Sequence, residues 1–225
     1  MTDRTASRRK RRQLPVWQES ILLVVIAMVM AVVVKTFFVQ AFYIPSGSME
    51  PTMLIDDKIL VQKVSYWAGD VDRGDIVVFD DPGGWLAEGD TKAPGNIVQK
   101  SLEKLGLFPS GGHLIKRVVG VGGDHVVCCT NGKLTVNGTE IDEPYTFDET
   151  STEDTTFDVK VPDGRLWVMG DNRGNSEASP QHIGDPGGGF IKESSVVGKA
   201  WLRVWPLGRA GFVDGTSAFS DVPKP

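Results

Sequence analysis

A long apolar run close to the N-terminus constrains the fold of this chain more than any other feature. The run extends from Leu14 to Phe42, and its charge-free centre, Ile21–Val34, covers 14 residues. Lys35 can extend its aliphatic stem along a helix and place its ammonium group among lipid headgroups. With the flanking residues Trp17–Val39 the run reaches about 23 residues, which is enough to cross a bilayer. We therefore predict a transmembrane anchor over residues 14–42.

A cleaved secretory signal peptide is the alternative interpretation of the same run. It would have a basic beginning, a short apolar centre and small residues before the cut, and Val39-Gln40-Ala41 fits such a cut. Lys35, Phe37 and Phe38 complicate the segment before any cut, which favours a retained anchor. With either interpretation, the residues after Tyr43 lie outside the cytoplasm.

Charge is distributed unevenly along the 225 residues. Residues 1–12 carry six basic groups and one acid, whereas the other 213 residues carry 18 basic and 28 acidic groups. A basic cluster can bind nucleic acid, but one that directly precedes an apolar run is typical of a positive-inside signal. We therefore expect residues 1–13 in the cytoplasm, a single-pass protein in the cell membrane in contact with the lipid bilayer, and no nucleic-acid partner.

The chain beyond the apolar run predicts a mostly β domain. Short runs rich in valine and isoleucine alternate with Gly, Pro, Asn and Asp, which is typical of strands separated by turns. The predicted strands are Lys58–Lys63, Asp75–Phe79, Leu114–Val121, His125–Cys129, Lys133–Val136, Phe157–Val161, Leu166–Met169 and Val196–Val204. We place this extracytoplasmic domain at residues 43–214 and a flexible tail at 215–225.

Two stretches within the domain are expected to be insertions, at residues 80–112 and 142–160. In the first, apolar side chains between Ile97 and Phe108 share one face of a predicted helix, which would pack on the domain or lie on the bilayer. The second insertion is acidic and is expected to contain a solvated loop.

Cys128 and Cys129, the only two cysteines, are adjacent in the sequence. An oxidising compartment permits a disulfide between them, and two partly buried thiols at a strand end are the alternative. Their spacing is not that of zinc ligands.

Histidine-based catalysis is the first chemistry to test. A Ser-His-Asp triad would need one of His113, His125 and His182, but Gly-x-Ser-x-Gly is absent and each histidine is expected at a surface or in a turn. A Ser-x-x-Lys sequence at Ser101–Lys104 lacks the partner motifs of penicillin-binding proteins and is attributed to chance.

A serine activated by a lysine remains. The lysine amine must be neutral to accept a proton, and burial among apolar groups lowers its pKa from about 10.4. In the apolar strand His113–Gly120, the period of two places Lys116 on one face and Arg117 on the other. One of the two must face a packed side unless the strand is an edge with both charges solvated. Since arginine does not release its proton, Lys116 is the usable base.

Two turn-forming segments supply polar groups that could work with Lys116. Ser46-Gly47-Ser48 lies between Pro45 and Pro51, which restrict the backbone on both sides, while Gly47 permits close approach. The cluster Gly170–Ser176 follows a predicted strand, at a position where catalytic loops often lie.

Four segments occur in a fixed order after the apolar run and together resemble a known family. They are Ser46–Met53, Arg73–Phe79, Lys116–Asp124 and Gly170–Ser176. The ordered set resembles the bacterial type I signal peptidases (signal peptidase I, leader peptidase) of the single-span kind found in Gram-positive and actinobacterial organisms. This resemblance implies one N-terminal transmembrane helix followed by an extracytoplasmic β domain of the signal peptidase and LexA-like type with inserted loops.

The resemblance also implies an activity and roles for particular residues. The enzyme would be a serine endopeptidase that removes N-terminal signal peptides from secreted precursors at Ala-x-Ala-like sites, without metal or cofactor. Ser48 would be the nucleophile and Lys116 the general base. The Ser46 hydroxyl and the Ser48 backbone N–H would bind the oxyanion, and Ser176 would orient the Lys116 amine. Signal peptides are the expected partners of a monomer near the secretion translocon.

Two positions depart from the family's pattern. The family usually has an acid and an arginine where this chain has Ala178 and Pro180, so a supporting ion pair is missing, and His182 or Asp185 could compensate. The departure keeps open a second hypothesis, a catalytically impaired, membrane-anchored binding domain. A third, a LexA-type Ser-Lys autoprotease with a DNA-binding N-terminus, is disfavoured by the apolar run.

Overall fold

The N-terminal apolar run forms one long helix. The computed structural model describes residues 15–66, 69–86, 112–130, 133–147, 156–213 and 215–225. Helix α1 covers Val16–Phe37, and its stretch Val16–Val34 has a mean hydropathy of 2.2 and no buried residue. A rise of 1.5 Å for each of its 22 residues gives about 33 Å, which matches the hydrocarbon core of a bilayer. The helix therefore has the length and composition of a membrane anchor.

The last part of the predicted anchor belongs to the β domain instead. Strand β1, Val39–Tyr43, pairs antiparallel along its whole length with β2, Lys58–Gln62. The helix therefore ends at Phe37 rather than at Phe42, and the single residue Phe38 separates helix from strand. Hydropathy alone could not place this boundary, because Phe42 is apolar for a different reason: it is buried in the core of the domain.

The larger sheet has eight strands within the described residues. Besides β1 and β2 they are β3 (Ile76–Asp80), β4 (His113–Gly120), β9 (Arg165–Met169), β10 (Ile191–Lys192), β11 (Val196–Trp205) and β12 (Gly211–Phe212). Their order is β1-β2-β11-β3-β4-β9-β10, with β12 paired to β11, and all pairs are antiparallel. Strand β4, which carries Lys116, is thus an interior strand with a neighbour on each side.

A smaller antiparallel sheet lies after β4 in the chain. Its strands are β5 (His125–Thr130), β6 (Lys133–Val136), β7 (Thr139–Glu140) and β8 (Phe157–Lys160), in the order β7-β6-β5-β8. Side chains of this sheet share a core with Val119 of β4 and Trp167 of β9. The ring of Trp167 packs against Phe157 with a centroid separation of 5.1 Å. The shared core joins the two sheets.

The structure confirms the mostly β fold and all eight predicted strands, with bounds that agree within one residue. β1, β7, β10 and β12 were not predicted. The predicted helix at 97–108 and the Ser101–Lys104 sequence lie outside the described residues. Of the second insertion, residues 142–147 and 156–160 are described, and Phe157 in it is buried rather than solvated.

The C-terminal residues pack against the domain, which differs from the flexible tail expected there. Phe219 and Val222 belong to the core shared by the two sheets. The Arg73 guanidinium donates hydrogen bonds to the carbonyls of Val222 and Pro223, at 3.3 and 3.0 Å. Residues 215–225 therefore extend the domain.

The adjacent cysteines of β5 are joined by a disulfide. Cys128 is buried in the shared core and Cys129 is half-buried against it. Of the two alternatives for this pair, the structure shows the bonded one.

Candidate active site

Ser48 and Lys116 meet although 68 residues separate them. Ser48 lies in a buried 3-10 turn, Gly47–Met49, and Lys116 lies in the interior strand β4. The Nζ atom of Lys116 is 2.9 Å from the Oγ atom of Ser48. Both side chains are almost fully buried, at 3% exposure for Lys116 and 6% for Ser48. The predicted nucleophile and base thus stand at the distance that proton transfer requires.

The surroundings of Lys116 favour its neutral form. Burial lowers the pKa of the Lys116 amine from its ordinary 10.5 to about 8, because the charged form loses its hydration. The carboxylates of Glu177 and Asp171 oppose this shift and favour the ammonium form. A substantial fraction of Lys116 is consequently uncharged at mildly alkaline pH and able to accept the proton of Ser48.

Ser46 lies on the solvent side of the nucleophile. Its backbone is extended, with φ of −131°, immediately before the 3-10 turn. Its hydroxyl is 3.4 Å from the Oγ of Ser48, and the residue is exposed. A hydroxyl here is close to where the oxygen of an attacked carbonyl would develop charge, so the role predicted for Ser46 remains a prediction that the geometry allows.

The polar cluster Gly170–Ser176 is hydrogen-bonded to the 3-10 turn Gly47–Met49, called here the nucleophile turn because it contains Ser48, the predicted nucleophile. The backbone N–H of Asn172 donates to the carbonyl of Ser48, and its side-chain amide donates to the carbonyl of Gly47, both at 3.1 Å. These two bonds fix the backbone of the nucleophile to a loop that follows β9. The sequence signal at this strand end therefore identified a segment that does contact the predicted site.

Ser176 does not make the hydrogen bond expected of it. Its Oγ is buried but has no hydrogen-bond partner, Lys116 included. It lies against Gly170: a Cβ added at Gly170 would fall 2.3 Å from Ser176 Oγ and 2.4 Å from the carbonyl oxygen of Ser48. Ser176 is thus beside the nucleophile, and its predicted action on Lys116 remains a prediction.

A buried ion pair stands next to Lys116 on the opposite face of β4. The Arg117 guanidinium makes two hydrogen bonds to the Asp171 carboxylate, at 2.7 and 2.6 Å, and both side chains are almost inaccessible. Thr52, four residues after the nucleophile, donates its hydroxyl to the same carboxylate. The ring of Tyr145 lies 4.2 Å from the guanidinium carbon. This cluster joins β4, the nucleophile segment and the Gly170–Ser176 loop.

Sequence reasoning did not assign a role to this cluster. Alternation along β4 required one of Lys116 and Arg117 to face a packed side, but both are buried because both faces of the strand are covered. Asp171 lies in the Gly170–Ser176 segment, directly after Gly170, so this acid and the arginine next to Lys116 were the available signals. Tyr145 and Thr52 carried no such signal.

The structure also shows where two of the histidines lie and what surrounds Ala178 and Pro180, the two positions that differ from the family's pattern. His125 is exposed, as expected, and His182 lies at the end of a 3-10 turn, which is also within the expectation, although its side chain is buried. Ala178 and Pro180 are buried and uncharged. Within the described residues, no group of three or more His, Cys, Asp or Glu side chains is placed to hold a metal ion.

Comparison with known proteins decides the family. The family model described as signal peptidase, peptidase S26, matches residues 17–205, which include the helix, the Ser48 turn and β4. This chain belongs to the signal peptidase S26 family. The LexA-type hypothesis is therefore set aside, and the family membership agrees with the resemblance that the ordered motifs carry.

Individual relatives have the same description over most of the chain. Signal peptidase I of Mycobacterium tuberculosis strain H37Rv is 38% identical over 220 residues, which cover 87% of this chain and 75% of that protein. The probable signal peptidase I of Mycobacterium leprae is 36% identical over 231 residues, covering 89% and 80%. A solved signal peptidase I from Enterococcus faecalis, at 24% identity, matches 58% of this chain and 96% of its own with a TM-score of 0.38.

Proposed function

We propose that this signal peptidase removes signal peptides by a Ser-Lys mechanism, with Ser48 as the nucleophile and Lys116 as the general base. The observation that carries the proposal is the 2.9 Å contact between the Lys116 amine and the Ser48 hydroxyl, in a site where burial lowers the pKa of Lys116 to about 8. Serine needs a neighbouring base to attack a peptide carbonyl, and a desolvated lysine is one of the few groups that can serve.

The chemistry would pass through an ester intermediate. Lys116 takes the proton of Ser48 as the oxygen attacks the carbonyl carbon of the residue before the cut. The carbonyl oxygen becomes an oxyanion, which the Ser46 hydroxyl and the Ser48 N–H would stabilise. The protonated Lys116 then gives its proton to the amine of the mature protein, which leaves. Water, deprotonated by Lys116, hydrolyses the ester and releases the signal peptide with a free carboxylate.

The expected substrates have small residues, usually alanine, at the third and first positions before the cut. The position of β1 supports binding in an extended conformation, because this strand ends the larger sheet and runs directly toward the nucleophile turn. An extended peptide can add to such an edge through backbone hydrogen bonds. A signal peptide bound there would present its cleavage site to Ser48.

The orientation in the membrane is part of the same proposal. Helix α1 is long and apolar enough to span the bilayer, and the basic cluster at residues 1–12 precedes it. Basic residues flanking a span remain in the cytoplasm. The β domain would then lie on the outer face as a monomer near the secretion translocon, where signal peptides emerge.

The decisive experiment compares cleavage of an Ala-x-Ala reporter peptide by the full-length protein and its variants in detergent. We expect wild type to cleave, and Ser48→Ala and Lys116→Ala each to reduce turnover by at least about a thousandfold. Ser220→Ala and Lys192→Ala, at exposed positions, are the matched controls and should retain activity. Substantial turnover by Ser48→Ala would refute the assignment of the nucleophile.

The same assay separates the proposal from the catalytically impaired binding domain. The departures at Ala178 and Pro180 motivate that alternative. An inactive wild-type protein that still binds the reporter peptide would favour it over the peptidase mechanism.

A further inference from the structure

The segment that follows Ser176, Ala178–His182, is held in place at both of its ends. Ala178–His182 closes into a short 3-10 turn, in which the Ala178 N–H donates to the side-chain oxygen of Gln181 at 3.1 Å. The Ser179 hydroxyl accepts a hydrogen bond from the backbone N–H of Val168 in β9, at 2.9 Å. The segment is therefore attached to the strand beside β4 at its start, and His182 stands at its end.

The imidazole of His182 makes two contacts that fix this end. Its Nδ1 atom is 2.6 Å from the carboxylate of Asp185. Its ring lies flat on the indole of Trp85, with centroids 4.4 Å apart and planes within 7° of parallel. Both His182 and Trp85 are buried. An exposed histidine can also contact a carboxylate, as His125 does with Asp158, but the stack on a buried indole is specific to His182 and gives this ring a structural task.

Trp85 connects the stack to the strand that neighbours the base. Its backbone N–H donates to the Asp81 carboxylate at 3.1 Å, and the edge of its ring meets Phe79 of β3 at 6.0 Å. Phe79 is paired with Leu114 in β4, two residues from Lys116. The stack therefore joins the segment after Ser176 to β3, the strand paired with the one that carries Lys116.

The other ring nitrogen of His182 points toward Glu177. The Nε2 atom is 3.6 Å from the Glu177 carboxylate, and Glu177 is the residue directly after Ser176. Glu177 is also one of the two carboxylates that act on Lys116, the other being Asp171. Among the described residues, the charged groups in contact with His182 are Asp185 and Glu177, and Asp81 lies on the other side of Trp85.

We propose that His182, stacked on Trp85 and bonded to Asp185, is a positioning residue that holds Ser176 and Glu177 beside the Ser48–Lys116 pair. This proposal rests on the proposed function of Ser48 and Lys116. The contacts of His182 with Trp85 and Asp185, called here the His182 brace, would replace the ion pair that is missing because this chain has Ala178 and Pro180. His182 touches neither substrate nor reacting atoms and acts only through the segment that it fixes.

Removal of the His182 brace is expected to change the pKa of Lys116. When the brace is removed, the segment over Ser176 and Glu177 loosens and water reaches the Lys116 amine. Since burial is the main cause that lowers the pKa of Lys116, hydration returns this pKa toward its ordinary, higher value. The rise of kcat/KM with pH should therefore move to higher pH, and the defect should shrink in alkaline buffer.

The test uses the full-length protein in detergent, the reporter peptide and a pH series. For His182→Ala we expect kcat at neutral pH to fall on the order of tenfold to a hundredfold, which is the usual effect of displaced catalytic groups, with little change in KM. Trp85→Phe, which keeps an aromatic surface for the histidine, should restore most of the activity lost in Trp85→Ala. His182→Asn, which keeps a donor to Asp185 but not the stack, should be intermediate.

The matched control is His125→Ala. His125 has a similar contact with a carboxylate, 2.6 Å from Asp158, but it is exposed in the smaller sheet. Its removal should leave both kcat and the pH profile unchanged. A His182→Ala protein with wild-type kinetics would overturn the proposal. So would a loss that is equal at every pH and follows the melting temperature in all variants, Trp85→Phe included.

The result is separable from that of the proposed function. If Ser48→Ala remains active, the assignment of Ser48 and Lys116 as nucleophile and base is wrong, whatever the result for His182. If Ser48→Ala is inactive and His182→Ala behaves as wild type, only the brace is wrong.

Discussion

At the scale of single residues, the burial that suits Lys116 to its proposed role as a base works against the stability of the sheet. The interior of an antiparallel sheet favours apolar side chains, and the burial of Lys116 there lowers the pKa of its amine, as its proposed role of general base requires. A neighbouring arginine solves the same burial problem differently, because Arg117 keeps its charge and is paired with Asp171. Two adjacent basic residues of one strand are therefore buried in different ways, one with a lowered pKa and the other in an ion pair.

The pKa of Lys116 predicts the pH dependence of cleavage. With Lys116 as the proposed base, the active form has a neutral amine, so kcat/KM should rise with pH and level off above an apparent pKa of about 8. Measurement of kcat/KM between pH 6 and about 10 checks this. An activity that is constant from pH 6 upward would contradict a buried lysine base.

The same burial predicts that Lys116 destabilises the fold. A pKa lowered from 10.5 to about 8 corresponds to roughly 3 kcal/mol of lost stability while the unfolded lysine is charged. Lys116→Met should therefore raise the free energy of unfolding at pH 7 by about 2–3 kcal/mol while it abolishes cleavage.

The pH dependence of this difference has a definite sign. Between pH 8 and 10.5 the unfolded state binds more protons than the folded state, so wild-type stability rises with pH in that window. The advantage of Lys116→Met should shrink there and vanish near the upper end. Denaturation of both proteins at pH 7 and pH 10 measures it, and a less stable Lys116→Met protein at pH 7 would contradict the prediction.

At the scale of elements, the site is assembled where a turn and a loop touch without side chains between them. Gly170 allows this approach, since any Cβ there would overlap both Ser176 Oγ and the Ser48 carbonyl oxygen. The Ser48 carbonyl oxygen belongs to the backbone, so it cannot rotate away from an added Cβ as a side chain could. The nucleophile turn and the Gly170–Ser176 loop can therefore pack this closely only with glycine at position 170.

Gly170→Ala should separate the turn from the loop. We expect kcat to fall by about a hundredfold, because a displacement near 1 Å costs about that much in a positioned reaction. Gly208→Ala is the matched control, since a Cβ at Gly208 meets nothing within 4 Å. Reporter-peptide kinetics of both variants decide the matter, and equal kinetics would show that the loop accommodates the extra carbon.

The sequence predicts elements well where one face or both faces of a strand are apolar, and poorly where pairing alone defines them. Within the described residues, eight of the nine longer strands follow from their β-branched runs, whereas β1 is hidden at the end of the long apolar run. The strands β7, β10 and β12 contain two residues each and leave no pattern. For the site, the order of the motifs predicts Ser48 and Lys116. The Trp85–His182 stack and the Tyr145–Arg117 contact arise from chain segments that meet only in the folded molecule, so no local signal predicts them.

At the scale of the whole molecule, the anchor and the β domain are separate in their contacts but continuous in the chain. The apolar helix has no buried residue between Val16 and Val34, whereas β1 is fully paired with β2. Phe38 therefore marks the boundary between the exposed apolar helix and the strands that the β domain stabilises.

This boundary predicts the outcome of truncation. A chain that begins at Phe38 should fold and cleave the reporter peptide in solution, since it keeps β1. A chain that begins at Ile44 lacks the whole strand, including buried Phe42, and should lose at least about 3 kcal/mol of stability. Thermal unfolding of the two fragments measures the difference, and equal melting temperatures would show that β1 does not contribute to the domain.

The direct passage from α1 to β1 has a further consequence for which precursors can be cut. The carbonyl of Phe38 accepts a hydrogen bond from the N–H of Lys63, at 3.0 Å, so even the residue between helix and strand is tied to the domain. Five strand residues extend about 17 Å, and a short turn then leads to Ser48. The Ser48 hydroxyl, the proposed nucleophile, is thus separated from the end of the helix by a short, hydrogen-bonded stretch of chain. Precursors would be sorted by how far their cleavage site protrudes from the bilayer as well as by the residues around it.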